Sequence, residues 1–252
     1  MLSRWPVVPP WFRLGYIVPH LAVDMDPYQF YRVAPDGVML VTVTLDLKGY
    51  EREFVVEETE KLSRAVDVLV AAKADVISLS GVPIGATLGR ERTRALVAEM
   101  AAQANVRAAT DFEAHVNALQ HLGVSRVALA TRWPPELVEG VRRYLGEAGI
   151  EVVSVASRPR NLDQNKRADP RADHELALAL GRKALAEGSD AQALLMPGGL
   201  WFAIHAATDI ESEFDVPVLL NITSTLWDAL RLHPAPLPVR PEPRWGRLLA
   251  SL

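Results

Sequence analysis

Two glycine corners are the stretches where this chain could hold a ligand. The first is Ser80-Gly81-Val82-Pro83 and the second is Pro197-Gly198-Gly199, and each follows a short apolar run and precedes a helical pattern. In a parallel α/β sheet, ligands bind at the carboxyl ends of strands, where backbone N–H groups at the start of the next helix favour anions. One corner in each half of the chain therefore predicts an anion site between the halves.

Three ionisable side chains are candidates for moving a proton near these corners. His20 follows a predicted strand that stops at Pro19, so it is a candidate general base, with a surface loop histidine as the alternative. Asp111 and Glu113 follow another predicted strand and form a candidate acid/base pair. However, the spacing from Thr110 to Glu113 is that of a capping box, in which such carboxylates satisfy backbone donors of their own helix. We favour the cap for these two residues.

A cation and two indole rings are candidates for binding the substrate. Arg132 follows a predicted strand, and a guanidinium there can hold a carboxylate through two parallel hydrogen bonds, with an ordinary surface arginine as the alternative. Trp133 and Trp201 fall in turns expected at the cleft. They could stack on an apolar part of the substrate or simply fill a pocket.

The chain contains no cysteine. A thiol nucleophile, a disulfide and a thiolate metal site are therefore excluded. His174-Glu175 lacks the second histidine of a zinc motif, and Gly81, Gly85 and Gly89 do not have the spacing of a nucleotide-binding loop. The sequence predicts neither a metal nor a cofactor.

The composition is that of an ordinary globular protein. The chain has 252 residues, of which 49% are hydrophobic and 23% charged, with a formal net charge of −4. A nucleic-acid partner is not expected, because such proteins concentrate basic residues on one face. No stretch approaches the ~20 apolar residues that span a bilayer, and prolines interrupt residues 1–12. We expect a cytoplasmic protein that does not bind membranes.

The sequence reads as two copies of one α/β unit. Strand patterns near residues 17, 41, 77 and 108 recur in the second half at an offset of about 112 residues. They predict two pseudo-symmetric halves, each a mostly parallel four-stranded sheet flanked by helices, with the site in the cleft between them. The first half is assigned residues 13–110 together with a C-terminal helix and proline-rich tail, 225–252. The second half is assigned residues 111–224.

Two segments fall outside this repeat. Residues 157–173 are charged and polar and predict a solvated loop or a lid over the cleft. The tail carries five prolines between residues 234 and 243, which is typical of extended chain. Trp245 and Leu248 could anchor the tail on this subunit or on a neighbouring one, so a homo-oligomer formed through the tail is a candidate arrangement.

Short motifs spread from Leu14 to Leu232 carry a resemblance to a known superfamily. They are Ile17-Val18-Pro19, Val76–Gly81, Leu122–Thr131, Pro197–Leu200, and Val216-Pro217-Val218 followed by Trp227-Asp228-Ala229. In these motifs the chain resembles the aspartate/glutamate racemase superfamily, and within it the arylmalonate decarboxylases and maleate isomerases.

The resemblance implies an enzyme without a cofactor, in which one or two cysteines act beside a substrate carboxylate held by backbone amides. The positions that match these cysteines are Gly81 and Pro197, and the decarboxylases also have glycine at the first of them. Val82 and Pro83 match hydroxyl-bearing residues of the decarboxylases, and Trp133 matches a tyrosine. The family's carboxylate pocket is therefore remodelled in this chain.

The sequence predicts a cofactor-independent isomerase or lyase that acts on a small carboxylate ligand by acid/base chemistry without a thiol. The carboxylate would rest on amides near Gly81 and Gly198–Gly199, with help from Arg132. His20 or a carboxylate would move the proton. Two alternatives remain: a non-catalytic ligand-binding or regulatory homologue, and a hydrolase that activates water through the Asp111–Glu113 pair.

Overall fold

The computed structural model describes residues 9–21 and 25–252, and within these ranges eight strands form two parallel four-stranded sheets. The strands of the first half are β1 Phe12–Val18, β2 Val38–Thr44, β3 Val76–Leu79 and β4 Arg107–Thr110. Those of the second half are β5 Arg126–Thr131, β6 Glu151–Ser157, β7 Ala193–Met196 and β8 Val218–Leu220. The strand orders, β2-β1-β3-β4 and β6-β5-β7-β8, are equivalent. The predicted pair of pseudo-symmetric parallel sheets is confirmed.

Helices flank both sheets. The first half contains α1 Met25–Val33, α2 Arg52–Thr59, α3 Leu62–Ala71, α4 Val82–Leu88 and α5 Arg90–Ala104. The remaining helices are α6 Asp111–His121, α7 Pro135–Glu147, α8 Leu162–Lys166, α9 Pro170–Glu187, α10 Ile204–Phe214, α11 Asn221–Leu230 and α12 Arg247–Ala250. None of these helices combines the length and apolarity that crossing a membrane would require.

The first half contains helices that the apolar pattern does not resolve. The apolar spacing over residues 57–74 predicts a single helix. The structure instead has two helices, α2 and α3, which meet at Glu60–Lys61. Helix α1 has Pro27 in its first turn, and α4 is a seven-residue helix with Gly85 at its centre. Because proline and glycine weaken a helical pattern, neither α1 nor α4 is predicted from the sequence.

Strand β1 directs a polar side chain toward the second half. Successive side chains of a strand point to opposite faces. Ile17 belongs to the hydrophobic cluster beneath α3, whereas Leu14 belongs to the larger cluster shared with the second half. Tyr16 has the same parity as Leu14. Its hydroxyl therefore lies between the halves.

Helices α6 and α11 pack against each other between the two sheets. Each begins directly after the last strand of a sheet, α6 at Asp111 after β4 and α11 at Asn221 after β8. Because the strands are parallel, the first turns of both helices lie at the carboxyl edges of the sheets. The fold thus brings Asp111 and Asn221 into the cleft.

The two segments outside the repeat have defined positions. Residues 157–173 contain α8 and the start of α9, and Asn165 of α8 contacts the first half through the Tyr50 hydroxyl at 3.3 Å. This contact agrees with the lid interpretation. In the tail, Leu248 is buried in the core and the Trp245 ring lies 5.6 Å from the His205 ring of α10. The tail is therefore anchored on its own chain.

Candidate active site

A small cavity of about 40 Å³ lies between the two glycine corners. Residues 80–84 line one side and residues 197–200 line the other. The remaining lining residues are Pro19, His20, Asp26, Leu47, Tyr50, Arg132, Trp133, Asn165 and Asn221. The structure therefore brings together both corners and two of the predicted site residues, His20 and Arg132.

Both corners turn through backbone conformations that favour glycine. Gly81 has φ +109° and Gly198 has φ +117°. The Gly81 N–H donates to Asp111 Oδ2 at 3.1 Å, and the Gly198 N–H donates to Asn221 Oδ1 at 3.0 Å. These two amides are thus engaged within the protein, contrary to the expectation that they hold the ligand. The reason is that the first side chain of α6 or α11 lies inside each corner.

Polar side chains of α6 and α11 form a reciprocal hydrogen-bond network. Asn221 Nδ2 donates to Asp111 Oδ2 at 2.8 Å, and the Thr225 hydroxyl donates to Asp111 Oδ1 at 2.7 Å. His115 Nε2 lies 2.9 Å from Asn221 Oδ1, and its Nδ1 lies 3.0 Å from Ser224 Oγ. Since the amide oxygen can only accept, Nε2 carries the proton and Nδ1 accepts from Ser224. The first residue of each helix therefore bonds to the fifth residue of the other.

Tyr16 and Ser80 connect this network to the cavity. The Ser80 hydroxyl donates to Asp111 Oδ2 at 2.8 Å and accepts from the Tyr16 hydroxyl at 2.9 Å. The same Tyr16 oxygen lies 3.2 Å from Asp111 Oδ2 and 3.3 Å from Asp26 Oδ2. Ser80 and Asp26 line the cavity, whereas Asp111 is fully buried behind it.

Burial dominates the ionisation of the network. It raises the pKa of Asp111 to about 6, although hydrogen bonds from Thr225, Ser80 and the Gly81 N–H favour the ionised form. Burial, followed by the charge of Asp111, raises the pKa of Tyr16 well above its ordinary value. The phenol therefore stays protonated at neutral pH, while Asp111 can gain a proton in mildly acidic solution.

His20 lies at the cavity as a neutral imidazole. It is 9% exposed, and its Nδ1 has no hydrogen-bond partner among the residues that the structure describes. Burial, with a smaller contribution from the charge of Lys166, lowers the pKa of His20 to about 4. A neutral ring with an unpaired nitrogen can exchange a proton with a bound ligand. The surface loop alternative does not fit this burial.

Arg132 lines the cavity and is fixed by its neighbours. Its Nη1 donates to Asp173 Oδ2 at 2.9 Å, and its guanidinium carbon lies 5.0 Å from the centre of the Trp201 ring. Arg160 binds the other oxygen of Asp173 at 2.7 Å. Burial lowers the pKa of Arg132 to about 10, so the side chain remains cationic at neutral pH. A buried cation at the cavity favours an anionic ligand, and the surface arginine alternative is wrong.

The chain is similar to known proteins along nearly its whole length. The family model described as arylmalonate decarboxylase matches residues 14–244. The chain belongs to the arylmalonate decarboxylase family. A curated arylmalonate decarboxylase from Bordetella bronchiseptica is 28% identical over 243 residues, which cover 93% of this chain and 95% of that protein.

Two solved structures have the same fold. A liganded arylmalonate decarboxylase variant, with one glycine exchanged for cysteine and one cysteine for serine, has a TM-score of 0.85 at 25% identity and covers 96% of this chain and 100% of that chain. The maleate isomerase from Pseudomonas putida has a TM-score of 0.82 at 20% identity, and the match covers 95% of this chain and 98% of that chain. At this identity the second match shows the fold alone. The resemblance found in the sequence is confirmed.

In this member of the arylmalonate decarboxylase family, residues without acid/base function occupy the positions that the sequence resemblance matches to the family's cysteines. Gly81 and Pro197 line the cavity, as do Val82 and Pro83. Trp133 also lines it, and a β-carbon built on Gly198 would lie 3.5 Å from the Trp133 ring. The proton-transfer groups at the cavity therefore come from other parts of the chain.

Trp201 lies behind the cavity. It is fully buried and is not among the lining residues. Its indole N–H donates to the Asp173 carbonyl oxygen at 3.2 Å, and its ring lies against the Arg132 guanidinium. The structure therefore gives Trp201 a supporting position beneath Arg132, in place of the predicted contact with substrate.

The capping interpretation is right for Thr110 and wrong for the two carboxylates. The Thr110 hydroxyl accepts from the Glu113 N–H at 3.1 Å. The Glu113 carboxylate binds Arg90 at 2.8 Å and accepts from the Tyr144 hydroxyl at 2.9 Å, outside the cavity. Asp111 binds the network between the helices. The candidate acid/base pair is therefore separated, and Glu113 does not reach the site.

Sequence reasoning missed Tyr16, Asp26 and Asn221. Asn221 begins the polar run Asn221–Thr225 directly after an apolar strand, and it follows Asp111 at the offset that relates the last strands of the two halves. That offset could have identified it. Tyr16 lies within an apolar strand and Asp26 within an unpredicted helix, so neither carries a comparable signal.

Replacing His115 by glutamine is expected to flatten the pH dependence of stability between pH 6.5 and 4. Burial lowers the pKa of His115 to about 4. As the pH falls below 6.5, the unfolded chain therefore binds a proton at this histidine, whereas the folded chain does not until the pH nears 4. The contribution of neutral His115 to the free energy of unfolding is present above pH 6.5 and is lost as the pH falls to 4. The loss is about 3 kcal/mol. Urea unfolding at several pH values measures it.

The matched control is His121→Gln, which removes an exposed histidine from the same helix. It measures how far the loss of a histidine outside the network changes the pH slope. Glutamine retains an N–H donor for Asn221 at position 115, so the variant is expected to fold. Equal slopes in wild type and His115→Gln would contradict the assignment of a neutral His115.

Proposed function

We propose that this chain is a cofactor-independent decarboxylase or isomerase that forms and reprotonates a carbanion beside the carboxylate of a small organic acid. The observation that supports it best is the cavity between the two corners, with cationic Arg132 and neutral, buried His20 on its wall. Family membership supports the reaction class. In a decarboxylation, the bond from the α-carbon to one carboxylate breaks, CO₂ leaves, and the α-carbon takes a proton from the protein.

Arg132 is suited to hold the carboxylate that remains on the substrate. Negative charge spreads onto this carboxylate when the carbanion forms, so a fixed cation stabilises the transition state more than the ground state. Asp173 and the Trp201 ring fix the guanidinium before substrate binds. Such preorganisation avoids reorganising the site during the reaction.

Proton transfer in this proposal uses no thiol, because the chain has no cysteine. His20 is neutral at pH 7 and lines the cavity, and its Nδ1 has no hydrogen-bond partner among the described residues. It can therefore act as a base at the α-carbon and return the proton that it has taken up. Replacing His20 by alanine in the full chain tests this role. An unchanged rate of deuterium incorporation into the product in D₂O would remove it.

The cavity predicts a substrate smaller than an arylmalonate. Its volume is about 40 Å³, whereas an apolar cavity known to bind one benzene molecule has a volume of about 150 Å³. We expect phenylmalonate, which carries an aromatic ring, to have a kcat/KM at least about 100-fold lower than that of methylmalonate, which does not. The rate of conversion of each acid, recorded by proton NMR, gives the ratio of the two kcat/KM values. Equal turnover of both acids would contradict the size limit.

A non-catalytic ligand-binding homologue is the second candidate. It is favoured by the concentration of changes at Gly81–Pro83, Trp133 and Pro197 and by the engagement of two corner amides within the protein. Both candidates predict carboxylate binding, so α-carbon proton exchange in D₂O separates them. A hydrolase acting through Asp111 or Glu113 is not favoured, because neither residue lines the cavity.

A further inference from the structure

Asp26 is a buried carboxyl group at the cavity that has no role in the proposed function. It lies in the first turn of α1, is 7% exposed and lines the cavity beside the second corner. A β-carbon at Gly199 would overlap its carboxylate oxygens. The absence of a side chain at position 199 therefore admits the Asp26 carboxyl to the cavity.

Asp26 shares a hydroxyl group with Asp111. The Tyr16 oxygen lies 3.3 Å from Asp26 Oδ2, 3.2 Å from Asp111 Oδ2 and 2.9 Å from Ser80 Oγ. Tyr16 has a single proton and cannot donate to all three. Two buried carboxyls around one hydroxyl do not both ionise readily, so one of them tends to retain a proton.

Only one of these two carboxyls reaches the cavity. Asp111 accepts from Thr225, Asn221 and the Gly81 N–H, in addition to Ser80. These donors favour its ionised form. Asp26 lines the cavity and Asp111 does not, so Asp26 is the member of the pair that can pass a proton to a bound ligand.

We propose that Asp26 is a catalytic residue that, as a carboxylic acid, delivers a proton to the substrate α-carbon on the Gly199 side of the cavity. This inference rests on the proposed function. When the carbon–carbon bond breaks, its electron pair stays on the α-carbon and CO₂ leaves. The Asp26 O–H bond then breaks and the proton forms the new C–H bond. Asp26 regains a proton from solvent after the product leaves, while Tyr16 holds it in position.

The test compares Asp26→Asn with wild type, using methylmalonate as the probe. We expect kcat to fall about 100-fold, as for loss of a general acid, with KM nearly unchanged because Arg132 binds the retained carboxylate. Tyr16→Phe keeps the acid and removes its link to Asp111, and should lower kcat about 10-fold. Asp36→Asn, at an exposed turn, is the matched control and should behave as wild type.

A second measurement does not depend on turnover. Carboxyl carbon NMR of ¹³C-aspartate-labelled chain, with the Asp26 signal assigned from Asp26→Asn, should show a protonated carboxyl at pH 6. An ionised Asp26 at that pH would overturn the donor role. Wild-type turnover with undiminished kcat in Asp26→Asn would overturn it while leaving the proposed function in place. A wild-type chain that leaves every malonate of the series unchanged would overturn both.

Discussion

Replacing Arg132 by alanine is expected to lower kcat/KM for methylmalonate about 1000-fold, the upper range for loss of one fixed donor at a developing negative charge. Arg132 is the buried cation on the cavity wall and remains charged at neutral pH. Arg132→Lys keeps a positive charge but loses the planar fork, so its activity should lie between those of alanine and wild type. Steady-state rates from NMR or CO₂ release measure both effects.

Arg160→Ala is the matched control for this prediction. Arg160 binds the same carboxylate of Asp173 as Arg132 but does not line the cavity. The two alanine variants therefore weaken the same ion-pair cluster, and only one removes the cation at the cavity. Equal losses of kcat/KM in both variants would show that Arg132 acts through Asp173, without binding substrate.

The architecture and the location of the site could be predicted from the sequence. Each glycine corner joins a short apolar strand to a helix, and parallel sheets place such corners at one edge. The offset of about 112 residues between the strand patterns shows that the unit is duplicated, so a second corner is expected to face the first. Both steps depend on local pattern, which a single sequence displays.

The hydrogen-bond partners of the side chains inside the cleft depend on tertiary contacts, so they could not be predicted from the sequence. The spacing from Thr110 to Glu113 is equally typical of a cap and of an acid/base pair, and the structure gives the two carboxylates different partners. Asp111 bonds to residues that follow it by more than one hundred positions, and Glu113 bonds to Arg90 and Tyr144. No local rule connects residues so far apart.

The pseudo-symmetry explains why two corner amides are unavailable to a ligand. The first residue of α6 accepts the N–H of Gly81, the first residue of α11 accepts the N–H of Gly198, and each also bonds to the opposite helix. The duplicated unit thus places an acceptor inside both corners. In the proposed mechanism, the ligand is bound by side chains that break the symmetry, among them His20, Asp26 and Arg132.

Replacing Asp111 by alanine is expected to lower the free energy of unfolding by about 4 kcal/mol, whereas asparagine should cost less than about 1 kcal/mol. Alanine leaves the Gly81 N–H and the Asn221 amide buried without an acceptor. Asparagine retains an oxygen for these donors, and its Nδ2 can donate to the Thr225 hydroxyl, which accepts as well as donates. Urea unfolding at pH 7 measures both variants.

The Asp111→Asn variant should also change the pH dependence of the free energy of unfolding. Because the folded pKa of Asp111 is about 6, above its ordinary value, the folded chain retains a proton between pH 4 and 6 that the unfolded chain releases. The contribution of Asp111 to stability therefore falls as the pH rises through this window, and Asp111→Asn should lack that fall. Glu113→Gln, in the same helical turn but outside the network, is the control and should retain it. If asparagine proved as costly as alanine at pH 7, the buried charge, and not the acceptor oxygen, would be holding the two helices together.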